Sequence, residues 1–167
     1  MNTFTQISPV EIKDNVFKAV GKDWMLITAG DDKGFNTMTA SWGGLGVLWN
    51  KSVAFTFIRK QRYTYEFTED KDLFTLCFFD EDYRNALSIC GSKSGRDIDK
   101  VKETGLTPVH IDGTTYFDEA RLVLVCKKQY FQDIDPKNFL NADIEKNYPA
   151  KDYHRMYIGE IVKVLVR

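Results

Sequence analysis

The chain has 167 residues, 43% of them hydrophobic and 28% charged, with a formal net charge of −1; it is long enough to bury a proper core, and no global field draws it to nucleic acid or an anionic membrane. No run approaches the roughly 20 apolar residues of a membrane span, and Met1-Asn2-Thr3-Phe4-Thr5-Gln6 lacks the basic and apolar regions of a signal peptide. Cys77, Cys90 and Cys126 are odd in number, widely spaced and flanked by apolar residues, so they read as buried thiols of a cytoplasmic protein; with only His110 and His154, and no CxxC or HExxH, the sequence argues against a zinc site.

In chain order, Ser8-Pro9-Val10-Glu11 is a capping box with proline at the first helical position, predicting a helix to about Val20 that stops at Gly21. Residues 24–29 read as a strand, 30–34 as a turn and 35–41 as the hairpin partner. A Gly-rich loop closes at 48–49, and 53–58 form another strand. A short helix is expected over 63–68 and a strand over 73–79. Asp80-Glu81-Asp82 then marks an acid-rich helix start, which suits the positive end of the helix dipole. Tyr83, Ala86, Leu87 and Cys90 recur at helical spacing, giving one apolar face that stops at Gly91.

Ser94-Gly95-Arg96-Asp97 is a second capping candidate, opening a helix that ends near Gly105. Residues 109–111 and 114–117 flank Asp112-Gly113, a two-residue hairpin signal. Residues 120–130 and 155–166 are long β-rich runs, separated by a polar connection over 132–152 with room for one or two short helices. No repeat or linker divides the chain, so 1–167 is expected to form a single domain. About seven strands with three or four inserted helices predict a mainly β, mostly antiparallel, closed or nearly closed barrel.

Three constellations carry chemistry. In Asn36-Thr37-Met38-Thr39-Ala40-Ser41-Trp42-Gly43-Gly44, period two places Thr37, Thr39 and Ser41 on one side and Met38, Ala40 and Trp42 on the other. Such a hydroxyl row can line the edge of a flat polar ring, and it also suits an ordinary half-exposed Thr-rich strand. Arg59-Lys60-Gln61-Arg62-Tyr63-Thr64 sets two arginines and a hydroxyl where a helix begins, which is how a phosphate is gripped; a solvated basic turn paired with Glu66 or Glu69 reads equally well. Gly91-Ser92-Lys93-Ser94-Gly95-Arg96-Asp97-Ile98-Asp99-Lys100 lacks the spacing of a nucleotide P-loop but offers serines and cations to a phosphate or ribityl-like chain; a helix–helix turn with a capping serine explains it as well. Together the three match a flat ring with a phosphorylated polar tail.

These segments, with Asp23-Trp24-Met25-Leu26-Ile27-Thr28-Ala29-Gly30, the opening Ser8-Pro9 and His154 followed by Tyr157-Ile158-Gly159-Glu160-Ile161, stand in an order that resembles the flavin reductase-like family of FMN-binding split barrels, its flavoredoxin-like branch in particular. The resemblance implies a split β-barrel homodimer with FMN near the subunit interface. It implies that Thr37, Met38, Thr39, Ser41 and Trp42 line the isoalloxazine, that Arg59, Arg62, Tyr63 and Thr64 hold the phosphate or ribityl end, and that Ser92, Ser94, Gly95, Arg96 and Lys100 complete the site. It further implies an oxidoreductase passing hydride or electrons from NAD(P)H or a protein partner to an acceptor; the alternative is an FMN-binding electron carrier or flavin module without nicotinamide turnover. His154 reads either as a surface or interface histidine or, through the resemblance, as the one candidate catalytic side chain, near the flavin where a nicotinamide or substrate docks. Tyr130, Tyr153 and Tyr157 are expected to pack in the barrel or dimer interface.

Overall fold

The computed structural model describes residues 3–167. Ten strands are described: β1 (Thr5–Ile7), β2 (Met25–Asp31), β3 (Gly34–Ala40), β4 (Gly43–Leu48), β5 (Lys51–Arg59), β6 (Leu73–Phe78), β7 (Pro108–Ile111), β8 (Thr114–Phe117), β9 (Leu122–Asp133) and β10 (His154–Val166). Eight form one antiparallel sheet in the order β3-β2-β6-β9-β10-β5-β4, with β1 added to the end of β10, while β7 and β8 form a separate hairpin. The two ends of the path, β3 and β4, are chain neighbours joined through Ser41 and Trp42. The sheet is thus a split barrel with inserted helices.

The central strands are buried on both faces, and period two assigns each face. In β2 and β6, Ile27, Ala29, Phe74 and Leu76 pack in the inner cluster, while Leu26 and Cys77 point into a second cluster under α3 (Arg84–Ser92) and the β7–β8 hairpin. Strand β10 is long and bent by bulges at Ile158/Gly159 and Ile161/Lys163. Glycine at 159 lets it pass over Phe74, because an added Cβ would lie 2.7 Å from the ring. All three cysteines are free and buried, as their apolar surroundings predict, and burial drives the Cys77 thiol up to about 12.

The strand pairs and the helix α2 (Tyr63–Asp70) stand close to their expected positions. The Asp112-Gly113 turn has both residues at positive φ, 50° and 80°, as a two-residue hairpin requires. Three expectations are corrected. The capping box at Ser8 is formed, but it opens only a 3₁₀ turn, Pro9–Glu11; the chain then makes a short helix, α1 (Val16–Lys18), and a π-helical turn, Ala19–Asp23. The Gly-rich segment before Trp49 is strand β4, because main-chain pairing with β5 supplies what its side chains do not. Helix α4 (Lys100–Thr104) is capped by Asp99, whose carboxylate accepts from Lys102 N at 3.1 Å, and not by Ser94. Ser94 instead closes a turn, its Oγ accepting from Arg96 N at 3.1 Å. The polar connection carries two 3₁₀ segments, Pro136–Asn138 and Ala142–Asn147. Tyr157 is fully buried in the inner cluster, Tyr153 joins an aromatic group with Phe139 and Tyr148, and Tyr130 is part-exposed beside Trp49. No described helix is long and apolar enough to cross a membrane.

Candidate functional site

The three sequence constellations meet on one side of the barrel. The end of β3, the β5–α2 corner and the loop between α3 and α4 are tied by direct bonds. Thr39 Oγ1 donates to the Leu87 carbonyl of α3, and Lys100 Nζ donates to Thr37 O at 2.7 Å. Arg96 Nη1 donates to Gln61 O at 3.1 Å. A Cβ on Gly91 would lie 3.2 Å from that of Thr39, and one on Gly95 only 2.0 Å from Asn36 Oδ1, so glycine at 95 is what lets the loop close on the strand.

Three contiguous cavities lie between these segments. The first, about 180 Å³, is lined by Met38, Thr39, Ala40, Ser41, Trp42, Phe57, Arg59, Arg62 and His154. The second, about 160 Å³, lies between Asn36, Gln61 to Thr64, Gly91 to Gly95 and Lys100. The third, about 340 Å³, is bounded by Trp24, Thr39, Ser41, Leu87, Ser88, Gly91 and Ser92. Arg62 borders the first and second, Thr39 and Ser41 the first and third, Gly91 and Ser92 the second and third.

The second cavity is rich in unbalanced positive charge. Lys100 is 7% exposed, and its ammonium donates to the carbonyls of Thr37 and Cys90 at 2.7 and 2.9 Å. Arg62, half-buried, reaches only the Cys90 carbonyl, at 3.4 Å. Neither makes an ion pair with a carboxylate among the described residues. Burial, only partly offset by the nearby Cys90 thiol, drives Lys100 down to about 8, with Arg62 adding repulsion. Helix α2 starts here with Arg62 as its N-cap residue, so the first backbone N–H groups of that helix add to the positive field. The charge, the free main-chain donors and the loop closed on Gly95 suit an anion such as a phosphoryl group.

Not every expected side chain faces these cavities. The Thr37 hydroxyl is buried against Thr28 Oγ1 at 2.8 Å, so this residue contributes its main chain. Thr64 is fully buried, and its hydroxyl accepts from Asn36 Nδ2 at 2.7 Å. Ser92 donates to Ser88 O at 2.8 Å. Arg96 pairs with Glu66 and lies over the Tyr63 ring, buttressing that wall from outside. Arg59 is held by Asp152 at 2.6 Å and by Asn147 O at 3.0 Å. Strand β3 ends at Ala40, so period two no longer governs Trp42; its indole turns to within 5.3 Å of the His154 ring.

His154 is 7% exposed, bonded through Nδ1 to Tyr148 Oη at 2.7 Å, and driven down to about 4 by burial and then by Arg59. It is therefore uncharged at neutral pH. Sequence reading missed Asn36, Phe57, Trp24 and Tyr148. Asn36 carried a signal, a polar side chain inside a strand; Tyr148 carried none, being one residue of an irregular loop. A larger concavity of about 760 Å³ lies across Leu87, but its Arg121–Asp14 and Lys18–Asp23 pairs, at 2.6 and 2.7 Å, match charge with charge.

Solved structures share this architecture. The flavoredoxin of Desulfovibrio vulgaris (Miyazaki F) aligns over 96% of this chain and 77% of its own, at 22% identity and TM-score 0.69. Component B of the nitrilotriacetate monooxygenase of Bacillus cereus aligns over 99% and 83%, at 18% identity and TM-score 0.67. The FMN-binding protein of Thermus thermophilus, solved with 1-cyclohex-2-enone bound, aligns over 98% and 79%, at 16% identity and TM-score 0.65. No curated protein matches the chain in sequence. The model of the flavin reductase like domain matches residues 17–167, and the chain belongs to that family.

Proposed function

We propose that this protein is an FMN-binding oxidoreductase of the flavoredoxin or flavin reductase type. The observation that carries the reading is the pair of cations, Arg62 and Lys100, held beside one cavity without a carboxylate partner among the described residues. A buried charge without a counter-ion is costly, and a phosphate monoester supplies what is lacking. The phosphate would lie in the second cavity on Arg62, Lys100, the first N–H groups of α2 and the Ser92–Ser94 loop, with Tyr63, Thr64 and Gly95 as its walls. The ring would lie over Thr39 and Ser41, with Met38 and Trp42 beside it and Thr37 contributing main chain. Arg59 and Arg96, already paired with Asp152 and Glu66, would shape the site from behind.

The chemistry such a cofactor supplies is transfer of a hydride or electrons from NAD(P)H, or from a protein partner, to an acceptor. The first cavity, walled by Trp42, Phe57 and His154, is where the second reactant would dock; the neutral imidazole offers it a hydrogen bond without a charge. That a Thermus FMN-binding protein of this fold was solved with a cyclic enone supports a small planar reactant. A homodimer is part of the same reading, supported by exposed Val47 on β4, which ends the sheet path, and by exposed Trp49 in the turn after it; light scattering in solution tests it.

The absorption spectrum of the purified protein, with FMN added, decides the main reading, followed by anaerobic titration with NADH and NADPH. A flavin band that bleaches with either nicotinamide is expected. A yellow protein inert to both is an electron carrier, and one that takes up no FMN refutes the assignment.

A further inference from the structure

The third cavity has no part in gripping a phosphate. None of its lining side chains is charged: Trp24 and Leu87 supply apolar surface, and Thr39, whose hydroxyl donates to the Leu87 carbonyl, lines it together with Ser41. The first cavity, in contrast, is bordered by Arg59, Arg62 and His154. A ring anchored by its tail in the second cavity, with its polar edge on the hydroxyls, has one uncharged place for its apolar end. We infer that Trp24 is a ring-binding residue, and that the third cavity takes the dimethylbenzene edge of an isoalloxazine between Trp24 and Leu87. This rests on the FMN reading and adds to it a wall that the sequence pattern did not reveal.

The way Trp24 is held supports a placed side chain rather than a loose surface aromatic. It follows the π-helical turn Ala19–Asp23 with φ 70° and ψ 170°, a conformation that bulky residues rarely adopt. Such strain persists only when the surroundings fix it. Here Arg84 does so: its guanidinium lies 3.2 Å from the indole centroid, while Nη1 donates to Lys22 O at 2.7 Å and Asp23 O at 3.1 Å. One side chain from α3 therefore pins both the turn and the indole, and the next turn of α3 carries Leu87 and Ser88 to the same cavity. The indole is in place before any ligand arrives, so little ordering accompanies binding.

The test titrates FMN and lumiflavin, which is the ring without ribityl phosphate, into flavin-free protein, reading Kd and flavin emission. Trp24→Leu is expected to weaken both ligands by the same factor, about three- to tenfold. It also brightens the bound flavin, because an indole in contact with a flavin quenches it by electron transfer. Ser88→Leu fills the cavity from an exposed helix position and is expected to weaken both ligands without disturbing the core, so it decides the matter where Trp24→Leu fails to fold. Arg62→Ala is the contrast: it weakens FMN and spares lumiflavin. Wild-type protein that binds FMN while the folded variants at 24 and 88 bind it with unchanged Kd and emission overturns this inference alone. Wild-type protein that takes up no FMN overturns the reading beneath it.

Discussion

Arg62 and Lys100 converge on the same oxygen, the carbonyl of Cys90, from 3.4 and 2.9 Å. Two like charges sharing one neutral acceptor leave a field that only an anion completes. Arg62→Ala is therefore expected to weaken FMN by roughly tenfold to a hundredfold, the range for losing a charge-assisted bond. Ser41→Ala, which removes a neutral hydroxyl, has a smaller effect. Fluorescence titration of both variants checks this; an Arg62 variant that folds normally and keeps its FMN places the phosphate elsewhere.

Lys100 gives the site a pH dependence. Burial lowers its folded value from the ordinary 10.5 to about 8, with the Cys90 thiol, itself pushed up by burial, and the Arg62 cation as its titratable neighbours. A bound dianion favours the protonated form, so binding takes up a proton and affinity falls as pH rises through 8, by at most about tenfold per pH unit. Without ligand the sign is opposite for stability. Between about 8 and 10.5 the unfolded chain holds a proton the native state has lost, so unfolding free energy gains from rising pH across that window. Lys100→Met should flatten both curves, read by titration and by urea unfolding at each pH.

The cationic motifs were legible because Arg59 to Thr64 and Gly91 to Lys100 are short, dense in donors and bounded by recognisable elements. Which hydroxyls face a ligand was not legible, because partners far along the chain decide it. Thr37 and Thr39 look alike in a period-two pattern, yet Thr28 claims the first hydroxyl, while the second, bonded to the Leu87 carbonyl, still borders two cavities. Strand β4 was hidden for a related reason: its glycines carry no strand propensity, and β5 supplies the ladder. Asp99 and not Ser94 caps α4 because the helix starts only at Lys100, Ser94 serving a separate turn before it. Local chemistry marked the segments; long-range bonds chose the atoms.

Gly95 tests how tightly those segments interlock. An alanine Cβ there would sit 2.0 Å from Asn36 Oδ1 and 3.2 Å from the Tyr63 ring. Asn36 cannot yield freely, since its amide nitrogen bonds Thr64 Oγ1 at the start of α2. Gly95→Ala should cost about 1–3 kcal/mol of stability, as overpacking does, and should weaken FMN as well. Adding Asn36→Ala removes the obstructing oxygen, so the double variant should lose less than the two single losses summed. Strict additivity in thermal or urea unfolding would show that the clash is absorbed elsewhere.

His154 makes the native state sensitive to acid. Its value falls from an ordinary 6.5 to about 4 in the fold, through burial first and Arg59 second. Between these values the unfolded chain binds a proton that the native state refuses. Stability is therefore lost as pH drops from 6.5 towards 4, by roughly 1–3 kcal/mol from this residue. Asp133, held by Arg155 first and then Lys60, stays down at about 2, so its own loss comes at lower pH. His154→Gln keeps a polar partner for Tyr148 and removes the titration. The wild type should lose stability more steeply than this variant between pH 6.5 and 4, with the two curves running parallel above. Curves that stay parallel throughout would mean that the imidazole charges freely in the native state, and that the wall it gives the first cavity carries a cation in mild acid.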